Sequence, residues 1–184
     1  MSPTELVAVF VSALSVWLTG CRVVWCWPVT LVACLLYGIV FHEARLYADM
    51  ALQAVFAALA CYGWWRWQSA EHHDGSVQVR PLEARSLWFG VVLSTACGAG
   101  AGYALSRLTD DAAPFSDAML SAYSILGQVW MARQHIACWW VWIVVDLFYT
   151  GLFAVRGLYP TAVLYAVFVG LAVTGLRLWR KEAI

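Results

Sequence analysis

Charge is scarce in this 184-residue sequence: only 12% of it is Asp, Glu, Lys or Arg, about half the roughly 25% of an average soluble domain. Eleven basic residues balance eleven acidic ones, so there is no electrostatic footprint for nucleic acid and no such partner is expected. The single lysine, Lys181, lies past the last long apolar run, which removes the membrane-embedded amine that retinal Schiff-base chemistry needs. No acid pair and no Ser–His arrangement falls inside an apolar run, so an intramembrane hydrolase has no machinery here, and no enzyme is expected. Close cysteine pairs are missing too. Cys21, Cys26, Cys34, Cys61, Cys97 and Cys138 are scattered singly, which excludes a zinc site or disulfide frame and leaves them as small packing residues. Gly98, Gly100 and Gly102 fail the GxGxxG pattern because Tyr103 holds its last position. No metal and no cofactor is expected.

What the chain has in excess is apolar surface. Hydrophobic residues make up 63% of it and the mean hydropathy is +0.73, more than one soluble core of this size can bury and far from the composition of a disordered chain. An integral membrane protein remains. A bilayer core takes about 20 apolar residues per helix, which gives seven spans at approximately 5–20, 23–41, 46–65, 86–105, 115–132, 136–154 and 158–178. Cys21-Arg22 alone separates the first two. The first has no basic residue before it and carries Glu5 instead, so it reads as a span and not as a cleavable signal. Gln68–Arg85, with Glu71, His72, His73, Asp74 and Gly75, reads as a solvated loop, and its histidine pair as a loop feature. The side reached after spans one, three, five and seven carries Arg22, Arg66, Arg80, Arg85, Arg133, Arg177, Arg180 and Lys181, against Arg45, Arg107 and Arg156 opposite. The positive-inside rule therefore puts the N-terminus outside and the C-terminus in the cytoplasm.

The chain also repeats. Leu46–Trp67 laid over Leu158–Trp179, an offset of 112, matches at ten of 22 positions, including Tyr47/Tyr159, Phe56/Phe168, Ala60/Ala172, Gly63/Gly175 and Trp67/Trp179. Upstream, an offset of 113 pairs Val16 with Val129, Trp17 with Trp130, Trp27 with Trp140 and Gly38 with Gly151; these matches carry less weight, because apolar helices coincide often. The expected fold is an all-α integral membrane protein with two parallel three-helix repeats around one linker helix. Residues 1–67 form the first repeat, 68–85 a cytoplasmic loop, 86–105 the linker and 115–184 the second repeat with its tail. Parallel repeats are a transporter architecture, with substrate held at the repeat interface. In the linker, Gly98 and Gly102 share a face that suits close helix packing.

Span six concentrates the chemistry. Trp139, Trp142, Asp146 and Tyr149 are spaced three, four and three apart and share one helix face. A mid-span carboxylate costs at least a few kcal/mol on insertion scales, which makes Asp146 a functional candidate. Indole faces attract cations, so this face suits a flat cationic ligand with a polar tail. Trp139 lies near the span end, where an interfacial aromatic belt is the competing reading. Span five carries Asp117, Ser121, Ser124 and Gln128 on one face, and span three carries Asp49 and Gln53; Gln128 and Gln53 can donate and accept hydrogen bonds to sugar hydroxyls or an amide. Under the 113 offset, Trp139, Trp142 and Asp146 match Cys26, Val29 and Ala33. The expected site is therefore asymmetric, built from spans five to seven with span three closing it.

Several pieces, in order along nearly the whole chain, resemble the PnuC family of bacterial nicotinamide riboside transporters. They are Trp25-Cys26-Trp27-Pro28, Leu46–Gln53, Tyr62-Gly63-Trp64-Trp65, Ser124-Ile125-Leu126, Met131-Ala132-Arg133, Trp139-x-x-Trp142-x-x-x-Asp146 and Gly157-Leu158-Tyr159. The resemblance implies a SWEET-like fold, a bacterial cytoplasmic (inner) membrane location, and facilitated diffusion of a vitamin precursor that is trapped by phosphorylation. A cytoplasmic kinase is then a functional partner, and the related fold admits trimers. The resemblance also implies substrate contacts from Trp139, Trp142 and Asp146. Two departures stand out: the family's Glu-Asn before the first tryptophan is Ala137-Cys138 here, and polar positions of the second span are Cys26 and Ala33. Wider relatives carry thiamine, riboflavin or deoxynucleosides, so these remain alternatives, as does a non-transporting scaffold.

Overall fold

Prolines mark where helices of this chain begin, since a first-turn residue needs no amide hydrogen for the helix. The computed structural model describes residues 3–43, 47–74, 77–108, 113–155 and 157–182. In it Pro3, Pro28, Pro114 and Pro160 all lie in first turns. The helices are α1 (Pro3–Gly20), α2 (Cys26–Glu43), α3 (Tyr47–Asp74), α4 (Ala84–Leu108), α5 (Pro114–Ala132), α6 (Ala137–Val155) and α7 (Tyr159–Glu182). Each expected span overlaps one of them. Among the described residues, five are long and apolar enough by composition to cross a membrane; α3 and α5 are diluted by polar residues. Those polar residues turn inward: Ser124 and Gln128 of α5 are buried and Gln53 of α3 is half-buried. Leu46 of the repeat, Arg45 and Arg156 of the charge asymmetry, and Gly75 of the loop lie outside the described residues.

Helices α1 and α2 pack together, as do α2 and α3, α5 and α6, and α6 and α7; the two sets meet where α1 touches α7 and α3 touches α5. Helix α4 packs on α5 alone among the described elements. Its small residues allow this: a Cβ on Gly98 would lie 2.5 Å from the Met119 sulfur, and one on Gly102 would lie 2.9 Å from the Phe115 Cα.

The same local geometry recurs 112 positions apart. Helices α1 and α5 end through Arg22 (φ 60°) and Gln134 (φ 64°), each followed by an amide reaching five residues back, Val23 to the Leu18 carbonyl at 3.1 Å and His135 to the Trp130 carbonyl at 2.9 Å. This is the left-handed helix stop usually given to glycine. Next come Trp27 and Trp139, 1% and 0% exposed, whose rings lie over Gly63 and Gly175. Each then meets a second tryptophan edge-on: Trp27 with Trp67 at 5.3 Å and Trp139 with Trp179 at 5.5 Å. The inner pair, Trp67 and Trp179, touch each other at 6.0 Å. Their indole hydrogens cross between the halves, Trp67 donating to the Met131 carbonyl at 3.3 Å and Trp179 to the Thr19 carbonyl at 3.2 Å.

The 113 register upstream is thereby corrected to 112. A one-residue slip turns a helix position by about 100°, enough to exchange the core for the surface. Trp140, expected to match Trp27, is 51% exposed and lies beneath the Arg180 guanidinium. The belt reading of Trp139 fails as well, because that ring is wholly buried. Because the crossed bonds are equivalent, Trp67→Phe and Trp179→Phe are each expected to cost about 1–3 kcal/mol, the range for stranding a buried acceptor. Thermal melting of the purified protein would show near-equal losses, and a clear inequality would break the equivalence.

The expected loop from Gln68 is also corrected. Helix α3 continues to Asp74, and the segment after it is tethered, not freely solvated. Val77 is buried while Val79 and Leu82 pack on the core, an alternation typical of an extended segment. Arg22 donates from its guanidinium to the Val77 carbonyl at 3.3 Å. The Arg80 amide donates to the Gln134 carbonyl at 2.9 Å, and the Ile136 amide to the Arg80 carbonyl at 3.2 Å. This strap thus touches both left-handed corners. Burial there holds the His135 imidazole below the ordinary histidine range.

Candidate functional site

Between the two halves lies a cavity of about 420 Å³ lined by every helix except α4, within the range of roughly 300–1,000 Å³ usual for small-molecule sites. It runs from Thr19, Met131 and Trp139 at the tryptophan layer to Glu5, Phe41, Phe153 and Thr161 at the far end of the bundle. Five residues singled out from the sequence line it: Trp139, Trp142 and Asp146 from α6, Gln128 from α5 and Gln53 from α3.

Two others do not reach it. Ser124 is buried, but its hydroxyl donates to the Leu120 carbonyl at 2.8 Å within α5. Tyr149 stands behind the wall, its ring 4.8 Å from that of Tyr165 and 5.9 Å from that of Phe153; both of those neighbours line the cavity. The three-four-three spacing on α6 spans more arc than one wall can use.

Trp142 is fixed edge-on. A Cβ on Gly127 would lie 3.2 Å from its Nε1 and Cε2 atoms, so the glycine lets the indole edge lie closer to α5 than a side chain would without a small shift. The Nε1 hydrogen is buried there and has no acceptor among the described residues. Trp142 therefore meets the cavity as a π surface and not as a donor. One turn further along α6, Asp146 is 7% exposed, and it is the one buried carboxylate among the described residues. A buried carboxyl group beside an indole face, in an aromatic cavity, is complementary to a flat cation. No arginine, lysine or histidine is among the described residues that line the cavity.

The wall is shared more evenly than the expected dominance of α5–α7, because α1 and α2 supply as much of it, while the indole and carboxyl groups stay on α6. Ser12, Ser15 and Thr19 on α1 and Thr30, Cys34 and Tyr37 on α2 all face the cavity. The sequence carried a signal for the α1 face, since Ser12, Ser15 and Thr19 are spaced three and four apart within an apolar helix. Under the 112 register Thr30 corresponds to Trp142, Cys34 to Asp146 and Tyr37 to Tyr149. Tyr37–Phe41 stacks at 5.8 Å and 22° as Tyr149–Phe153 does at 5.9 Å and 13°.

Comparison with known proteins agrees with this geometry. A solved structure described as the crystal structure of the vitamin B3 transporter PnuC superposes with a TM-score of 0.78, covering 96% of this chain and 80% of that one at 24% identity; it establishes the fold. The nicotinamide riboside transporter PnuC of Escherichia coli (strain K12) is 26% identical over 173 residues, 80% of this chain and 72% of the relative. The riboflavin/roseoflavin transporter RibM of Streptomyces davaonensis is 28% identical over 163 residues, 86% of this chain and 75% of the relative. The family model described as nicotinamide mononucleotide transporter matches residues 2–181. With that match running through all seven helices, the chain belongs to the nicotinamide mononucleotide transporter family.

Proposed function

We propose that this chain carries nicotinamide riboside across a membrane. It is a multi-pass membrane protein, and the relatives with which it shares most of its length are named as transporters. The observation that carries the substrate reading is the charge of the cavity: Asp146 beside the Trp142 face, Glu5 at the far end, and no cationic side chain among the described lining residues. A pyridinium ring matches the first pair. The phosphate that distinguishes the mononucleotide would meet the Asp146 carboxyl group with no cationic side chain among the described lining residues, so this cavity favours the riboside.

The wider reading is ours as well. Residues 1–67 and 115–184 form two parallel three-helix units, with the 86–105 segment as linker in a 3+1+3, SWEET-like arrangement; the recurrence of corner, tryptophan and stacked-ring geometry at 112 positions supports it. The bacterial inner membrane is the expected location, with the C-terminus in the cytoplasm. With one buried carboxylate described, no proton relay is assembled, which favours facilitated diffusion and trapping by a cytoplasmic kinase. The reading admits a homo-oligomer, with a trimer as the form the resemblance allows.

Equilibrium binding to purified protein, followed by tryptophan quenching, tests the substrate reading. Nicotinamide riboside should bind saturably, with nicotinamide mononucleotide at least about tenfold weaker. A desolvated cation–π contact contributes about 2 kcal/mol, so Trp142→Ala should weaken riboside binding about 30-fold. Tighter binding of the mononucleotide would overturn the reading, and saturable binding of riboflavin alone would move the chain toward the RibM activity.

A further inference from the structure

We infer that Ser15 and Thr30, on the wall opposite Asp146 and Trp142, form the subsite for the hydroxyl-bearing end of the carried ligand. This rests on the transport reading above and adds the residues that read the ligand's second end.

The comparison of the two halves carries the argument. At 112 positions apart, Ser15 corresponds to Gly127 and Thr30 to Trp142. In the second half the corner between α5 and α6 is filled by the Trp142 indole, whose edge lies against Gly127. In the first half the equivalent corner, between α1 and α2, holds a hydroxyl pair: Ser15 and Thr30 hydrogen-bond to each other across the two helices. Threonine is far smaller than tryptophan, so the cavity extends into this corner, and both residues line it. One half presents a π face and the other a polar recess at matching places.

The hydrogen-bond inventory gives that recess a sign. Each hydroxyl has one hydrogen and two lone pairs. Thr30 Oγ1 donates to the Cys26 carbonyl at 2.8 Å, and Ser15 Oγ lies 3.4 Å from the same carbonyl. Thr19 Oγ1 donates to the Ser15 carbonyl at 2.8 Å. With the Thr30 hydrogen on the Cys26 carbonyl, Ser15 donates to Thr30 Oγ1, so both hydrogens are engaged within the protein and lone pairs are what the pair can still offer. Such a wall recognises donors. Sugar hydroxyls donate; a phosphate or carboxylate does not. A ligand with a flat cationic ring at one end and hydroxyls at the other would lie between the two walls, ring on Trp142 and Asp146, hydroxyls on Ser15 and Thr30.

The test compares two cationic pyridinium ligands, nicotinamide riboside and N-methylnicotinamide, which lacks the sugar. Thr30→Val, Ser15→Ala and Thr30→Ser are measured by equilibrium binding to the full purified protein, with thermal melting alongside. A hydrogen bond contributes about 0.5–1.5 kcal/mol net, so Thr30→Val and Ser15→Ala should each weaken the riboside by about three- to tenfold. N-methylnicotinamide should bind all variants as it binds the parent, and Thr30→Ser should restore the riboside. Equal losses for both ligands would assign the pair a structural role and overturn the inference, and so would an unchanged riboside affinity. If parent protein bound neither ligand, the transport reading itself would fail first. If Thr30→Val did not fold, Ser15→Ala and Thr30→Ser would carry the same decision.

Discussion

Alanine at Gly175 is expected to destabilise the purified protein by about 3 kcal/mol, the upper part of the overpacking range. That corresponds to a melting temperature lower by on the order of 10 °C. The added methyl carbon would lie 2.4, 2.5 and 2.7 Å from the Cη2, Cζ2 and Cζ3 atoms of Trp139. That ring has nowhere to retreat, being wholly buried and held edge-on by Trp179. Gly63→Ala should behave in the same way, since its methyl carbon would lie 2.3–2.5 Å from the Trp27 ring. Gly170 lies on the same helix as Gly175 but has nothing within 4 Å of an added Cβ, so Gly170→Ala is the control and should be neutral or slightly stabilising. Trimming the obstacle in Gly175→Ala/Trp139→Ala should recover part of the loss relative to the sum of the single changes. Equal melting of Gly175→Ala and Gly170→Ala would show that the tryptophan layer is not packed as described.

The second large effect is on binding. Asp146→Asn keeps the shape of the side chain and removes its charge, so a cationic ring loses its buried counter-ion. Breaking a buried ion pair costs about 3 kcal/mol or more, which corresponds to a loss of on the order of 100-fold in affinity for nicotinamide riboside. A neutral ring such as that of riboflavin gains nothing from the charge and should be affected far less. Because the isolated protein no longer has to bury a carboxylate, the variant should melt no earlier than its parent. Calorimetric titration of both ligands against parent and variant checks this. Similar losses for cation and neutral ligand would show that Asp146 shapes the cavity and does not supply its charge.

The number and order of the helices were legible because bilayer-length apolar runs leave little choice of conformation. The Gly63/Gly175 and Trp67/Trp179 matches were legible for the same reason the layer works: glycine and tryptophan are complementary shapes, so their spacing is fixed by contact. The upstream register was not. Trp139 and Trp140 are adjacent, and only the partner helix decides which is buried; sequence identity at one residue's displacement looks equally good. Spacing on α6 brought Trp142 and Asp146 to the cavity but overreached at Tyr149, because a helix face is wider than a cavity wall. The contribution of α1 was missed for a different reason. Serine and threonine are cheap to place in an apolar helix through bonds to their own backbone, so they announce themselves less than a buried acid does. The strap after α3 was hidden by its polar neighbours, although Val77 and Val79 alternate with Gln78 and Arg80.

The exchanged tryptophan bonds have one more consequence. Each half supplies the donor for a carbonyl of the other, so the free energy of the seam belongs to neither. A change that loosens one crossing loosens the shared boundary, and the two halves keep a common frame because each is part of the other's mould. The cavity side of that frame differs between the halves. There Thr30 can stand where its counterpart is Trp142, and Cys34 where its counterpart is Asp146. A rigid shared frame with an unshared interior is how a duplicated scaffold can bind a ligand whose two ends differ.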